Sequence, residues 1–125
     1  MWNNKFNVVY DIEEAVLNHE MPNLILQPVV ENAISHGLKN SVKVDKVLEI
    51  SIKGEDDKIV FKIKDNGTGI PQEDISNILD KHRNGYGLNN VNERIRLIYG
   101  ESYGIYILSE VGEYTCVEIC IHRKA

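Results

Sequence analysis

The sequence lacks the features that mark several specialised classes of protein. Its 125 residues contain no apolar run of the roughly 18 residues that a membrane span requires, and no signal peptide at the start. Its 14 Lys and Arg are outnumbered by 19 Asp and Glu, and the net charge of −5 argues against general binding of nucleic acid or anionic membranes. Any anion that it binds therefore requires a local group of hydrogen-bond donors or positive charges. The length favours one domain with its own core.

Cysteine is also scarce. The two cysteines, Cys116 and Cys120, stand in "TCVEICI", whose alternating β-branched residues predict a strand. At that spacing they share one strand face about 13 Å apart, which is too far for a disulfide. They match no zinc spacing either, so we expect a reduced, cytosolic setting.

Alternating apolar residues predict five strands. They are expected over residues 5–12, over 47–54 and 58–65 around the polar "EDD", and in "YGIYILSE" and "YTCVEICIH" around "VGE".

Helical periodicity predicts an amphipathic helix over residues 23–37, with a kink or a delayed start at Pro28. A later helix ends at Gly100. Its apolar face is predicted to hold Leu88, Val91, Ile95 and Ile98.

Between the hairpin and that helix, residues 66–87 are expected to form a long loop with a short helix in "QEDISNILD". Loops of such length are often functional. This order predicts an α+β fold, a two-layer α/β sandwich whose helices cover one face of a mixed, mostly antiparallel sheet.

Polar residues of the first helix form one candidate cluster. Asn32 and His36 are one turn apart, with Glu31 and Ser35 beside them, so all four can line one polar stripe. A solvated helix face explains most such stripes. However, Asn is a poor helix former, and its amide oxygen is a hard ligand suited to Mg²⁺.

The stretch "VFKIKDNGTGIP" is a second candidate. Asp65, Gly67 and Gly69 are typical of a turn after a strand. They are equally suited to a ligand pocket, because Asp65 can accept a hydrogen bond from an exocyclic amine and glycines let a flat ring approach the backbone. A calcium-binding loop does not fit, because Ile70 and Ser76 stand where such a loop needs Gly and Glu.

A third candidate is "NGYGLNNVNERI", where Gly85 and Gly87 directly precede a helix. Free N–H groups and the helix dipole at such a point can bind an anion without net positive charge. Lys81, His82 and Arg83 add local charge, although a solvated loop would look the same.

In this order and at these separations, the three clusters resemble the Bergerat-fold nucleotide-binding domain of the GHKL superfamily. The segment "LQPVVENAISHG" is similar to that of sensor histidine kinases of the LytS and YesM type. The resemblance extends from about Phe6 to Ile121 and includes the hairpin "VGEYTCVEI", with Gly112 and Thr115.

The resemblance implies ATP and Mg²⁺ as ligands, with Asn32 holding the metal and Asp65 binding the adenine amino group. It implies that residues 70–87 are an ATP lid. The nucleotide-binding positions carried over are Asn32, His36, Asp65, Gly67, Gly69, Ile70, Gly85, Gly87, Leu88 and Thr115.

One position departs from the superfamily pattern. Many members carry an acid or amide four residues before the magnesium Asn, where this chain has Pro28. Glu31 or Gln27 could substitute, so Glu31 and Asn32 are the candidate catalytic residues.

The function implied is the catalytic domain of a two-component sensor histidine kinase, which presents the ATP γ-phosphate to a histidine on a separate dimerisation domain. His19 is not expected to be that acceptor, because Pro22 follows it closely. The chain is expected to be one domain of a larger kinase, monomeric alone, with residues 1–4 as linker. The whole kinase is expected to be a homodimer. This chain is expected to be a cytoplasmic domain of a membrane-anchored receptor.

The expected partners are the kinase's own dimerisation helices and a response regulator, with no nucleic acid. Two alternatives stay open. One is another GHKL ATPase or serine kinase, and the other is a non-catalytic nucleotide-sensing module.

Overall fold

The computed structural model describes residues 6–13, 23–38, 41–78 and 87–122. In chain order its elements are β1 Asn7–Ile12, α1 Asn23–Asn32, a π-helical segment Ala33–Leu38, β2 Val47–Glu55, β3 Lys58–Asp65, α2 Gln72–Ile78, α3 Leu88–Tyr99, β4 Gly104–Glu110 and β5 Tyr114–His122.

The strands form one five-stranded sheet in the order β1-β2-β3-β5-β4. The β1–β2 pair is parallel, and the other three pairs are antiparallel. The prediction of an α+β fold with a mixed, mostly antiparallel sheet is therefore confirmed.

The central strand β3 shows why one face of the sheet is covered. Ile59, Phe61 and Ile63 are buried, whereas the alternate residues Lys62 and Lys64 are exposed. The helices supply the other half of the core, and burial of each large apolar side chain contributes about 1.5–3 kcal/mol. The buried apolar cluster includes Val29 and Ala33 of the first helical region, Leu88, Val91 and Ile95 of α3, and Val117, Ile119 and Ile121 of β5.

The first helix departs from the predicted continuous α-helix. It accommodates Pro28 in its interior and then continues as a π-helix from Ala33 to Leu38. A π-helix has more residues per turn than an α-helix, so it changes the direction of every side chain beyond the transition. The four residues do not form the single exposed stripe that was expected, since Asn32 is buried while Glu31, Ser35 and His36 are exposed.

The predicted apolar face of α3 is wrong at Ile98, which is 54% exposed. At 3.6 residues per turn, the stripe that begins at Leu88 and passes through Ile95 returns to Tyr99. Tyr99 does pack against the core. The helix ends as predicted, and the N–H of Gly100 donates to the carbonyl of Arg96.

Candidate functional site

A small cavity lies where the π-helical segment meets the end of β3. Its volume is about 20 Å³, which is room for one water molecule and far below the roughly 300–1,000 Å³ of ligand pockets. A larger ligand therefore requires the bordering segments to move apart. The cavity is lined by Asn32, His36, Gly37, Asp65, Thr68, Gly69, Ile70 and Thr115.

Asp65 forms the floor of this cavity at the last position of β3 and is only 2% exposed. Its Oδ1 accepts a hydrogen bond of 2.9 Å from the N–H of Gly67. A Cβ atom on Gly37 would lie 2.4–2.7 Å from the carboxylate atoms, so only glycine fits there. The carboxylate is therefore enclosed mainly by backbone, which leaves acceptor capacity directed at the cavity.

Burial raises the pKa of Asp65 from 3.8 to about 6. Desolvation is the largest cause, and the N–H of Gly67 and the positive charge of Lys43 oppose it. Lys43 is held nearby because its Nζ donates to the carbonyl of Glu113 at 2.9 Å. Near neutral pH, Asp65 is mainly an ionised acceptor that lacks the solvation a carboxylate prefers.

Asn32 contributes a second polar atom to the same cavity. Its side chain is buried, and its Oδ1 has no hydrogen-bond partner within the described part of the chain. A buried amide oxygen without a partner costs about 1–3 kcal/mol, so a ligand that engages it would recover that energy.

The donor set fits a magnesium ion that arrives with phosphates. An amide oxygen is a hard ligand, and Mg²⁺ is commonly held by one or two protein groups together with substrate phosphates and water. The described residues contain no group of three or more His, Cys, Asp or Glu side chains that could hold a metal without such a ligand.

The glycine turn after Asp65 packs against the β4–β5 turn. Gly69 has a φ of 75°, and a Cβ there would overlap the carbonyl of Glu110. The N–H of Gly112 donates to the carbonyl of Thr68 at 2.8 Å. These contacts fix the turn against the sheet and leave its backbone facing the cavity.

The structure brings most of the other predicted positions to this cavity. Ile70 and Thr115 are buried in its wall, and Thr115 is the direct cross-strand partner of Asp65. His36 is exposed at the mouth, where its carbonyl accepts the Thr68 hydroxyl at 3.3 Å.

The remaining predicted positions lie elsewhere. Leu88 is fully buried in the core and does not line the cavity. Gly87 is exposed at the N-cap of α3 with a φ of 77°, and no described side chain caps that helix. Gly85 lies outside the described residues. Glu31 is exposed, and its carboxylate accepts a hydrogen bond of 3.0 Å from Gln27.

Sequence reasoning missed three residues that shape the site. Gly37 contacts Asp65, Lys43 acts on its charge, and Ser109 holds the glycine turn through the N–H of Ile70. Only Gly37 carried a signal, because a glycine directly after His36 is unfavourable inside a helix and suggests a close approach. Lys43 and Ser109 act across long sequence separations that no local pattern reports.

A family model described as histidine kinase-, DNA gyrase B-, and HSP90-like ATPase matches residues 21–125. Sensor protein LytS of Bacillus anthracis is 32% identical over 126 residues, which cover 97% of this chain and 21% of LytS. Sensor histidine kinase YpdA of Escherichia coli is 38% identical over 105 residues, which cover 82% of this chain and 18% of YpdA. The chain thus spans about a fifth of the length of these relatives.

Solved structures with similar folds are also histidine kinases. The catalytic domain of histidine kinase ThkA matches 96% of this chain and 82% of its own chain, with a TM-score of 0.74 and 14% identity. Acinetobacter baumannii histidine kinase AdeS matches 98% of this chain and 56% of its own, with a TM-score of 0.69 and 21% identity. At such identities the likeness shows the fold alone. None of the helices in the described part of the chain has the length and hydropathy that a membrane span requires.

Proposed function

Because this chain belongs to the histidine kinase-, DNA gyrase B-, and HSP90-like ATPase family, we propose that it binds Mg-ATP and is the catalytic domain of a sensor histidine kinase. In this role it presents the γ-phosphate to a histidine on a separate dimerisation domain. One observation carries the proposal: the buried carboxylate of Asp65 lines the same cavity as the amide oxygen of Asn32, which has no hydrogen-bond partner among the described residues. One group suits an amine-bearing base, and the other suits a metal on phosphates.

The base end of the nucleotide is assigned to the end of β3. The Asp65 carboxylate accepts the exocyclic amine of adenine, and the backbone at Gly67 and Gly69 lies against the ring. Both glycines are surrounded so closely that a Cβ would overlap neighbouring backbone. Ile70 and Thr115 complete the wall, and His36 stands at the mouth.

The phosphate end is assigned to Asn32 and to the start of α3. Gly87 precedes a helix whose first N–H groups are uncapped by any described side chain, so they are available to phosphate oxygens. We include Gly85 and Leu88 in this region, where Leu88 acts by anchoring α3 in the core. We assign residues 70–87 to a lid over the nucleotide. Mg²⁺, when bound, supplies neutralisation of phosphate charge. The residues of the chain mainly position the reacting groups, which is most of what phosphoryl transfer requires.

The position of Glu31 favours transfer to an acceptor over hydrolysis. Its exposed carboxylate is bonded to Gln27, and Pro28 stands where many relatives of this superfamily have an acid or amide. Among the described residues, the cavity lining includes no carboxylate besides Asp65. The same observation supports the alternative of a non-catalytic nucleotide-sensing module, and the assay below separates the two.

The proposal extends to partners and location. Relatives named sensor proteins and sensor histidine kinases support partnership with dimerisation helices and a response regulator. In such a kinase this chain would be a cytoplasmic domain of a membrane-anchored homodimer.

The proposed function is tested in two steps. Calorimetry with ATP in the presence of Mg²⁺ measures binding, and absence of binding contradicts the proposal. A transfer assay then adds the kinase's dimerisation helices, with the acceptor histidine intact or replaced by serine. Histidine-dependent transfer supports the kinase. Binding of ATP with neither phosphoryl transfer nor ADP formation supports the sensing module.

A further inference from the structure

Ser109 lies behind the wall of the cavity, in β4, and is buried. It does not line the cavity itself. Its hydroxyl nevertheless contacts two residues that do, because it accepts the N–H of Ile70 at 2.7 Å and lies 3.0 Å from the hydroxyl of Thr115.

A count of protons determines the direction of the Ser109–Thr115 hydrogen bond. The Ser109 hydroxyl has one proton, which it donates to the carbonyl of Tyr114 at 2.7 Å. A carbonyl can only accept, so that proton is committed. In the contact between the two hydroxyls, Thr115 must therefore be the donor. Ser109 then uses its single donor and both of its acceptor sites.

This direction determines what Thr115 offers to a ligand. With its proton committed to Ser109, the Thr115 oxygen faces the cavity only as an acceptor. Thr115 and Asp65 are direct cross-strand partners, so their side chains project from the same face of the sheet, about 5 Å apart at Cβ. The carboxylate of Asp65 is also an acceptor. The cavity wall therefore presents two neighbouring acceptors and calls for hydrogen-bond donors on the ligand.

We propose that Ser109 is a positioning residue that makes the site select a 6-amino purine over a 6-oxo purine, by holding the Thr115 hydroxyl as an acceptor. The inference rests on the proposed function, in which this cavity takes the base of a nucleotide. A 6-amino group supplies donors to the acceptor pair, directly or through water. A 6-oxo purine presents an acceptor at the 6-position and only one donor on this edge, its N1–H, so it leaves one of the two buried acceptors unpaired, which sites of this kind reject strongly.

The backbone of Ser109 has a supporting role. Its carbonyl accepts the side-chain amide of Gln72 at 2.8 Å, at the first residue of α2. Ser109 therefore joins the glycine turn and the start of α2 to the sheet. A substitution that keeps the backbone retains the Gln72 contact, so the hydroxyl can be tested separately.

The test compares the affinities of ATP and ITP, whose bases differ in the 6-substituent and at N1, which is an acceptor in ATP and carries a proton in ITP. We expect wild type to prefer ATP by about a hundredfold, and Ser109→Ala to lower this ratio about tenfold, the value of one buried hydrogen bond. ATP affinity should fall while ITP affinity is kept or rises, because the freed Thr115 proton can face the 6-oxo group. Ser109→Thr keeps the hydroxyl and should keep the ratio within about threefold.

Ser51→Ala is the matched control, because Ser51 lies on the opposite face of the sheet beside Lys62. It should leave the ratio unchanged. An equal loss of ATP and ITP affinity in Ser109→Ala would make Ser109 only structural and overturn the proposal. Equal affinities in wild type would overturn it while leaving the proposed function intact, whereas absence of all nucleotide binding would refute the function as well.

If Ser109→Ala fails to fold, Thr115→Val decides the question. It removes the acceptor but leaves the Ser109 bonds to Ile70 and Tyr114 in place. The ATP-to-ITP ratio should again fall about tenfold, since one hydrogen bond is lost. An unchanged ratio would overturn the proposal.

Discussion

A Cβ atom at Gly67 would overlap the carbonyl oxygen of Gly37, so the turn after β3 and the π-helical segment meet backbone to backbone. The N–H of Thr68 donates to that same carbonyl at 3.3 Å. Two glycines that are far apart in the sequence thus meet beside the cavity, and Gly37 lines it. This contact helps to enclose Asp65, which is only 2% exposed.

The first prediction concerns this contact. Gly67→Ala should lower the free energy of unfolding by about 1–3 kcal/mol, because the added methyl group overpacks a site bounded by backbone. Denaturant unfolding measures the change. Gly112→Asn is the control, because its φ of 81° tolerates Asn and no described atom lies within 4 Å of its Cβ position. Equal stability of the two variants would contradict the packing argument.

The second prediction concerns stability and pH. The folded-state pKa of Asp65 is raised from 3.8 to about 6, so the folded protein is favoured by protonation and loses stability as the pH rises through this range. Asp65→Asn removes the buried charge. It should match wild type near pH 3.5 and exceed it by about 2–3 kcal/mol at pH 7. Chemical unfolding at both pH values measures this difference.

Asp57→Asn, in the exposed β2–β3 turn, is the control for that pH series. It should show no comparable gain between the two pH values. A gain for Asp65→Asn that is the same at both pH values would argue against desolvation of the carboxylate as the cause.

The third prediction is that the same Asp65→Asn substitution weakens nucleotide binding. The amide can present a donor to the adenine amine where the carboxylate presents an acceptor, and we expect a loss of about 2–3 kcal/mol. Calorimetry with ATP and Mg²⁺ measures the loss. Because the variant is expected to be more stable at pH 7, unfolding cannot account for weaker binding. Wild-type affinity would rule out Asp65 as the adenine contact.

The fourth prediction separates the metal from the base. Asn32→Ala removes an amide oxygen that has no partner in the described part of the chain, so it should weaken ATP binding mainly when Mg²⁺ is present. The affinity without Mg²⁺ should partly survive through Asp65. Asn7→Ala, at an exposed position of β1, is the control and should change neither affinity. Equal losses with and without Mg²⁺ would contradict the assignment of Asn32 to the metal.

The fifth prediction is that this chain binds nucleotide without phosphorylating itself. His36 stands at the cavity mouth, and His122 ends β5 with its Nδ1 3.1 Å from the Tyr103 hydroxyl. His19 and His82 lie outside the described residues, and the sequence disfavours His19 because Pro22 follows it. Incubation with γ-labelled ATP should give no acid-labile phosphate on the chain.

Dimerisation helices supplied in trans should restore transfer, and Asn32→Ala should abolish it. Acid-labile phosphate on the chain alone would refute the separation of binding from transfer. It would then point to His19, in the segment "HEMPN" of residues 19–23, as the acceptor to test.

Local patterns were sufficient for the strands and for most of the helical elements. Alternation of apolar residues around short polar turns predicted the two hairpins, β2–β3 and β4–β5, which the structure confirms. The pairing of β3 with β5 was not predicted, because it joins strands that are far apart in the sequence. The family resemblance, which rests on short motifs, is confirmed by the family model that matches residues 21–125. The π-helical segment was missed, because the six residues "AISHGL" are too few for the spacing of their apolar side chains to distinguish a π-helix from an α-helix.

The sequence by itself determined the strands, the helices and the candidacy of Asp65, since these follow from periodicity and turn chemistry within short windows. Only the tertiary structure decided that Asn32 faces the cavity while its neighbour Glu31 faces solvent. It alone placed Ser109 against Ile70, 39 residues away in the chain. Such pairs depend on strand order, register and helix phase, which are set by the packing of the whole core and not by any local stretch of sequence.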